Sequence, residues 1–103
     1  MDTILKFDWM LGDRLISEVT IDFPNKEFRV TNHSNHPAEI FYYEKSGSIE
    51  ALYELLETRC YDRNYQNIKE VLKVLNLVQY DPLEICKITC GRLWYDDFHM
   101  VWK

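Results

Sequence analysis

The feature that most constrains this chain is the alternation of apolar and polar side chains through its first thirty residues. Leu5, Phe7 and Trp9 are apolar while Lys6 and Asp8 are polar, a period of two that gathers the aromatics on one face of a strand. Gly12-Asp13 interrupts the pattern and predicts a hairpin turn. Val19, Ile21 and Phe23 then alternate with Glu18, Thr20 and Asp22, Pro24-Asn25-Lys26 forms a second turn, and Phe28 and Val30 flank Arg29 in a third strand. The result is an antiparallel β meander with one apolar face. Such a sheet is unstable alone, so the rest of the chain must cover that face.

The second half supplies a helical pattern. Ser48 is placed to cap a helix in which Ile49, Leu52, Tyr53, Leu56 and Cys60 recur at helical spacing, with Glu50, Glu54 and Glu57 on another face. A second helix is expected from about Asn64 to Asn76, burying Ile68, Val71, Leu72 and Leu75 and ending at Asn76 in a left-handed conformation. Asp81-Pro82-Leu83-Glu84 reads as a capping box with proline at the first helical position. It opens a third helix whose apolar face carries Ile85 and Ile88 and which stops at Gly91. Phe98, Met100 and Trp102 alternate again and predict a final strand returning to the sheet. Residues 38–43 fit either a short edge strand or an apolar loop on the core. The fold class is therefore α+β, a single domain over residues 1–103: an N-terminal antiparallel β meander covered on one face by about three short C-terminal helices, with a possible final strand.

Composition narrows the setting. A chain 47% hydrophobic and 15% aromatic can bury a core, and no apolar run is long enough for a membrane helix. The opening Met1-Asp2-Thr3-Ile4-Leu5-Lys6 has acid where a secretory leader carries base. Cys60, Cys86 and Cys90 make an odd count that suits no disulfide framework. A cytoplasmic protein is expected. The net charge of −5, with lysine and arginine scattered, argues against nucleic acid as a partner.

Residues 50–102 resemble a known group. Leu56-Glu57-Thr58-Arg59-Cys60, Asn67-Ile68-Lys69, Leu72, Leu75 and Leu77 are followed by Tyr80-Asp81-Pro82-Leu83-Glu84-Ile85, Lys87, Thr89, Gly91 and Asp96-Asp97-Phe98. This order is similar to that of small uncharacterised proteins of Gram-positive bacteria and their mobile elements, and to the N-terminal segment of HipA-like kinases. Asn76 stands where that group often has glycine, and Asp62 where it often has proline. No kinase residues are present to carry over. The resemblance implies an accessory or interaction module.

The residues that carry chemistry are few. Cys86 and Cys90, four apart, with Cys60 and His99 have the ligand types of a zinc site but not the usual knuckle spacing, so packing in the core is the favoured reading. His33 and His36 read as solvated loop histidines, Asp96-Asp97 as a turn before the last strand, and the glutamates of the first helix as a solvated face. No phosphate loop, dinucleotide fingerprint or nucleophile elbow occurs, and no cofactor or catalytic residue is assigned.

The aromatic surplus is more informative. Adjacent aromatics on a strand point to opposite faces, so the clusters Phe41-Tyr42-Tyr43 and Trp94-Tyr95 cannot all enter one core. Tyr42, Tyr43, Trp94 and Tyr95 are the candidate binding residues, and a protein partner or a homodimer is the expected use. The leading reading is a non-enzymatic protein-interaction module. A small metal- or histidine-dependent hydrolase is one alternative, and requires His33, His36 or His99 to meet carboxylates in a pocket. A nucleic-acid-binding regulator using Arg59, Arg63, Lys69 and Lys73 is the other.

Overall fold

A computed structural model describes residues 4–103. Five strands form one antiparallel sheet: β1 (Ile4–Leu11), β2 (Arg14–Asp22), β3 (Glu27–Asn32), β4 (Ser46–Ser48) and β5 (Phe98–Trp102), in the spatial order β4-β3-β2-β1-β5. Three helices lie between β4 and β5 in sequence: α1 (Ile49–Glu57), α2 (Ile68–Val74) and α3 (Pro82–Thr89). The α+β class and the final strand are as the pattern predicts.

The alternation fixes the register. Phe7 stands opposite Val19 and Trp102, Val19 opposite Val30, and Ile21 opposite Phe28, so one face of the sheet is apolar across four strands. One irregularity improves the packing. Trp9 pairs with Ser17 and Met10 with Leu15, leaving Ile16 as the extra residue of a β-bulge. Ile16 and Ser17 are both fully buried, as expected where a bulge breaks the strict in-and-out alternation. Gly12, at φ 60, begins the β1–β2 turn, a conformation that costs glycine least.

Three pieces close the apolar face. α1 contributes Leu52 and Leu56, α3 contributes Leu83, Ile85 and Cys86, and the loop after β3 contributes Phe41. Residues 38–43 are thus loop. Phe41 sits edge-on to Phe7 at 5.3 Å and to Trp9 at 5.4 Å between ring centres. The loop's polar backbone is satisfied by the sheet: Ser17 Oγ donates to Asn32 Oδ1 and accepts from the Phe41 amide, Asn32 Nδ2 donates to the Tyr42 carbonyl, and Trp9 Nε1 donates to the Glu39 carbonyl.

The helices begin and end largely where their caps stand. Ser48 Oγ accepts the Ala51 amide, and Asp81 accepts the amides of Leu83 and Glu84. Glu84 pairs with Lys87 instead of completing a capping box. α2 differs from expectation. It starts at Ile68, because Asp62 and Tyr65 hold the preceding residues in turns. Its stripe of Ile68, Val71, Leu72 and Leu75 is only half-buried, and no α2 side chain is fully buried. Ile88, expected in the core, is 51% exposed, because α3 turns Leu83, Ile85 and Cys86 inward instead. Asn76 has φ 60, as expected of a left-handed stop, and Cys90 with φ 58 precedes Gly91 with φ 61 at the end of α3.

Ser46-Gly47-Ser48 forms the short edge strand β4. Gly47 is required there because a Cβ would lie 2.6 Å from the Phe28 ring. No helix among the described residues is long and apolar enough to cross a membrane.

Candidate functional site

The four aromatic residues proposed for binding lie in two separate places. Tyr42 and Tyr43 adjoin β3 and β4, while Trp94 and Tyr95 lie between α3 and β5, at the other edge of the sheet. Tyr42 is half-buried. Its ring centre lies 5.0 Å from that of Phe28 and 5.0 Å from that of Tyr43, and burial raises its hydroxyl pKa. It is chiefly a packing residue. Tyr43 is exposed beside a shallow hollow lined by Arg29, Val30, Thr31, Glu44 and Lys45.

The second pair stands on a more apolar surface. Trp94 is 94% exposed and edge-on to Tyr95. It borders a groove of about 270 Å3 lined by Cys60, Tyr61, Thr89, Arg92 and Leu93. A second groove of about 270 Å3, lined by Val71, Val74, Leu75 and Glu70, shares Tyr61 and Thr89 with the first. The two adjoin at Tyr61 and Thr89 and together make an apolar trough bordered by the segment after α1, helix α2 and the end of α3. The Tyr65 ring lies tilted against Tyr61 with centres 5.3 Å apart, and Val74 on the trough wall is 84% exposed.

Tyr61, Tyr65, Leu93 and Val74 carry no sequence signal for a contact surface. Val74 lies off the helical stripe and Tyr61 and Tyr65 lie in turns, so no periodicity marks them. The signal that was available is the brevity of the α2 stripe, which is too weak to bury a helix fully.

The trough is held in place by Arg59. Its guanidinium forms two bonds to Asp96, at 2.9 and 3.1 Å, and donates to the carbonyls of Gly91 and Phe98. It also stacks 4.8 Å from the Trp9 ring centre. The segment after α1 is thereby tied to the connection that carries Trp94. The Arg59 bonds, foremost, hold the Asp96 carboxyl below its usual pKa. Nearby, Arg63 pairs with Glu57 and lies over the Tyr80 ring, and the Tyr80 hydroxyl donates to the Tyr61 carbonyl at 2.8 Å. Burial, with the Cys60 thiol next, pushes the Tyr80 hydroxyl well above its ordinary pKa.

The other candidates are dispersed. His33 pairs with Glu18, His36 lies in the exposed loop, and His99 is on β5, separated from β3 by two intervening strands. Met100 points into the core, so its neighbour His99 faces the other side of the sheet from Cys86. Among the described residues no three His, Cys, Asp or Glu side chains are grouped to hold a metal ion. Arg59 and Arg63 each pair with a carboxylate, Asp96 and Glu57 respectively.

No protein-family model matches the chain, and neither a curated protein nor a solved structure does.

Proposed function

We propose that this protein is a non-enzymatic interaction module that docks a protein partner in the apolar trough around Tyr61 and Trp94. The observation that carries the reading is the exposure of Trp94, Tyr95, Tyr61, Tyr65 and Val74 on one surface. Large apolar side chains exposed together mark contact surfaces on soluble proteins, and tyrosine and tryptophan are the commonest anchors of such contacts. The rigid support supplied by Arg59 favours docking without reorganisation. Addition of a partner strand to β5 is disfavoured, because the Met100 amide already donates to the Cys90 carbonyl at 2.7 Å and Arg59 occupies the Phe98 carbonyl.

The resemblance of residues 50–102 to small uncharacterised proteins of Gram-positive bacteria and their mobile elements supports a role beside such an element or a toxin–antitoxin pair. The odd cysteine count supports a cytoplasmic setting. A photo-cross-linking residue placed at position 94 tests the reading in the native cell. A discrete protein adduct is expected there, lost on Val74→Asp, with none from position 20 on the opposite sheet face. Equal labelling from both positions would overturn it.

A further inference from the structure

The trough combines a projection with a recess. Arg92 and Trp94 line only the first of its two grooves, Glu70 and Val74 line only the second, and Tyr61 and Thr89 line both. Trp94, 94% exposed, is the projection, while the second groove is backed by half-buried Val71 and Leu75. The two charged residues are both unpaired. Arg14, Arg29, Arg59 and Arg63 each face a carboxylate. Exposed Arg92 is in no ion pair among the described residues, and neither is exposed Glu70.

Taking the trough as a contact surface, we propose that its occupant is a second copy of this chain, in a twofold dimer in which each Trp94 packs into the other copy's groove at Val71 and Val74 and each Arg92 pairs with the other copy's Glu70. A contact about a twofold axis needs a surface that is its own complement, so that residue i meets j and j meets i. The trough meets that condition, with the axis near Tyr61 and Thr89, which both grooves share. The Trp94 end of one copy then lies on the α2 end of the other.

The two kinds of contact divide the work. Tryptophan is among the side chains that anchor interfaces. The charges set direction, because the like-on-like alignment would place Arg92 against Arg92 and Glu70 against Glu70, which repulsion disfavours. A contact confined to the trough belongs with the small, transient interfaces of under about 1,200 Å2. The chain is therefore monomeric in dilute solution and dimeric at high concentration, with a Kd on the order of 100 μM.

Sedimentation equilibrium of the full chain, spanning about tenfold on either side of that value, tests this. A reversible monomer–dimer equilibrium is expected, and Trp94→Ala should weaken it at least about 30-fold. Arg92→Glu and Glu70→Arg change exposed side chains and leave the core untouched. Each alone should weaken self-association at least about fivefold, through like charges on both sides of the axis. Mixed in equal amounts, the two variants regain both opposite-charge pairs and should associate with one another about as tightly as wild type. A wild-type chain that stays monomeric throughout, a dimer indifferent to Trp94→Ala, or a mixture no tighter than either variant alone would each overturn the twofold dimer. A monomeric chain that still cross-links from position 94 to a different protein would remove the dimer and keep the contact surface; a monomeric chain with no such adduct would remove both.

Discussion

Arg59 and Asp96, thirty-seven residues apart, face one another in a two-pronged ion pair, with the arginine side chain 11% and the aspartate side chain 23% exposed. The arginine also donates to two backbone carbonyls and sits over the Trp9 ring. It is thus the rivet between the helical half and the last strand. Removing one member of a shielded pair strands the other. Arg59→Ala should lower stability by about 2–4 kcal/mol and the melting temperature by upwards of about 10 °C. Lysine cannot reproduce the planar fork, so Arg59→Lys should fall well short of wild type in thermal denaturation followed by circular dichroism. Wild-type behaviour of the lysine variant would refute the role given to the fork.

The same pair makes stability depend on pH. Asp96 has a folded-state pKa below its unfolded value, owing first to Arg59. Its contribution is therefore present above about pH 4, the ordinary aspartate range, and is lost as pH falls through the lower folded-state value. Urea denaturation at neutral and acid pH should show wild type weakening toward acid. Asp96→Asn should be weaker at neutral pH but flatter in its response, and parallel curves for the two proteins would contradict this.

Ser17 is a buried hydroxyl whose two bonds serve the loop of residues 38–43. Ser17→Ala leaves the Phe41 amide without an acceptor, at a cost of roughly 1–3 kcal/mol. Hydrogen exchange should speed up at Phe41 far more than at Val19 in the centre of the sheet. Uniform acceleration along the chain would mean that the hydroxyl supports the whole fold and not the loop.

Gly47 and Gly12 should answer differently to alanine. At Gly47 the new methyl group meets the Phe28 ring at 2.6 Å, whereas at Gly12 it meets nothing within 4 Å but must accept φ 60. Gly47→Ala should cost about 1–3 kcal/mol through overpacking, and Gly12→Ala about 1–2 kcal/mol through backbone strain. An asparagine, which tolerates the left-handed region, should recover part of the loss at position 12 but none at position 47, as judged by denaturant midpoints.

Trp94 should report on the proposed contact surface directly. Trp9 is buried and Trp102 donates its indole N–H to the Cys86 carbonyl, so Trp94 is the most solvated of the three. Trp94→Phe should remove most of the acrylamide-quenchable fluorescence while changing stability by less than about 0.5 kcal/mol. Unchanged quenching would mean that the ring is covered in solution.

The sheet was legible because its signal is the simplest available: Phe7, Val19, Ile21, Phe28 and Val30 alternate with polar neighbours, and all are buried. Caps at Ser48 and Asp81 were legible because each needs only its own side chain and the next turn. Phe41-Tyr42-Tyr43 has no period, and its state depends on Ser17 and Asn32, which lie on strands β2 and β3, twenty-four and ten residues before the groups they bond. For the helices, spacing marks an apolar stripe but does not say what lies against it. Ile88 and the α2 stripe were therefore read as core, although the sheet was already filled by α1, α3 and Phe41. Trp94 and Tyr95 were found through aromatic crowding, but Tyr61 and Val74 join them only through the tertiary arrangement.

The bond from Met100 to Cys90 reaches beyond the single molecule. Open sheets grow by recruiting main chain from their neighbours, and fibres are the usual product. Here one border has its Met100 amide and Phe98 carbonyl occupied from within, and the opposite border is a strand of three residues. Concentrated solutions should therefore assemble, where they assemble at all, through side chains, and leave the cross-β route closed.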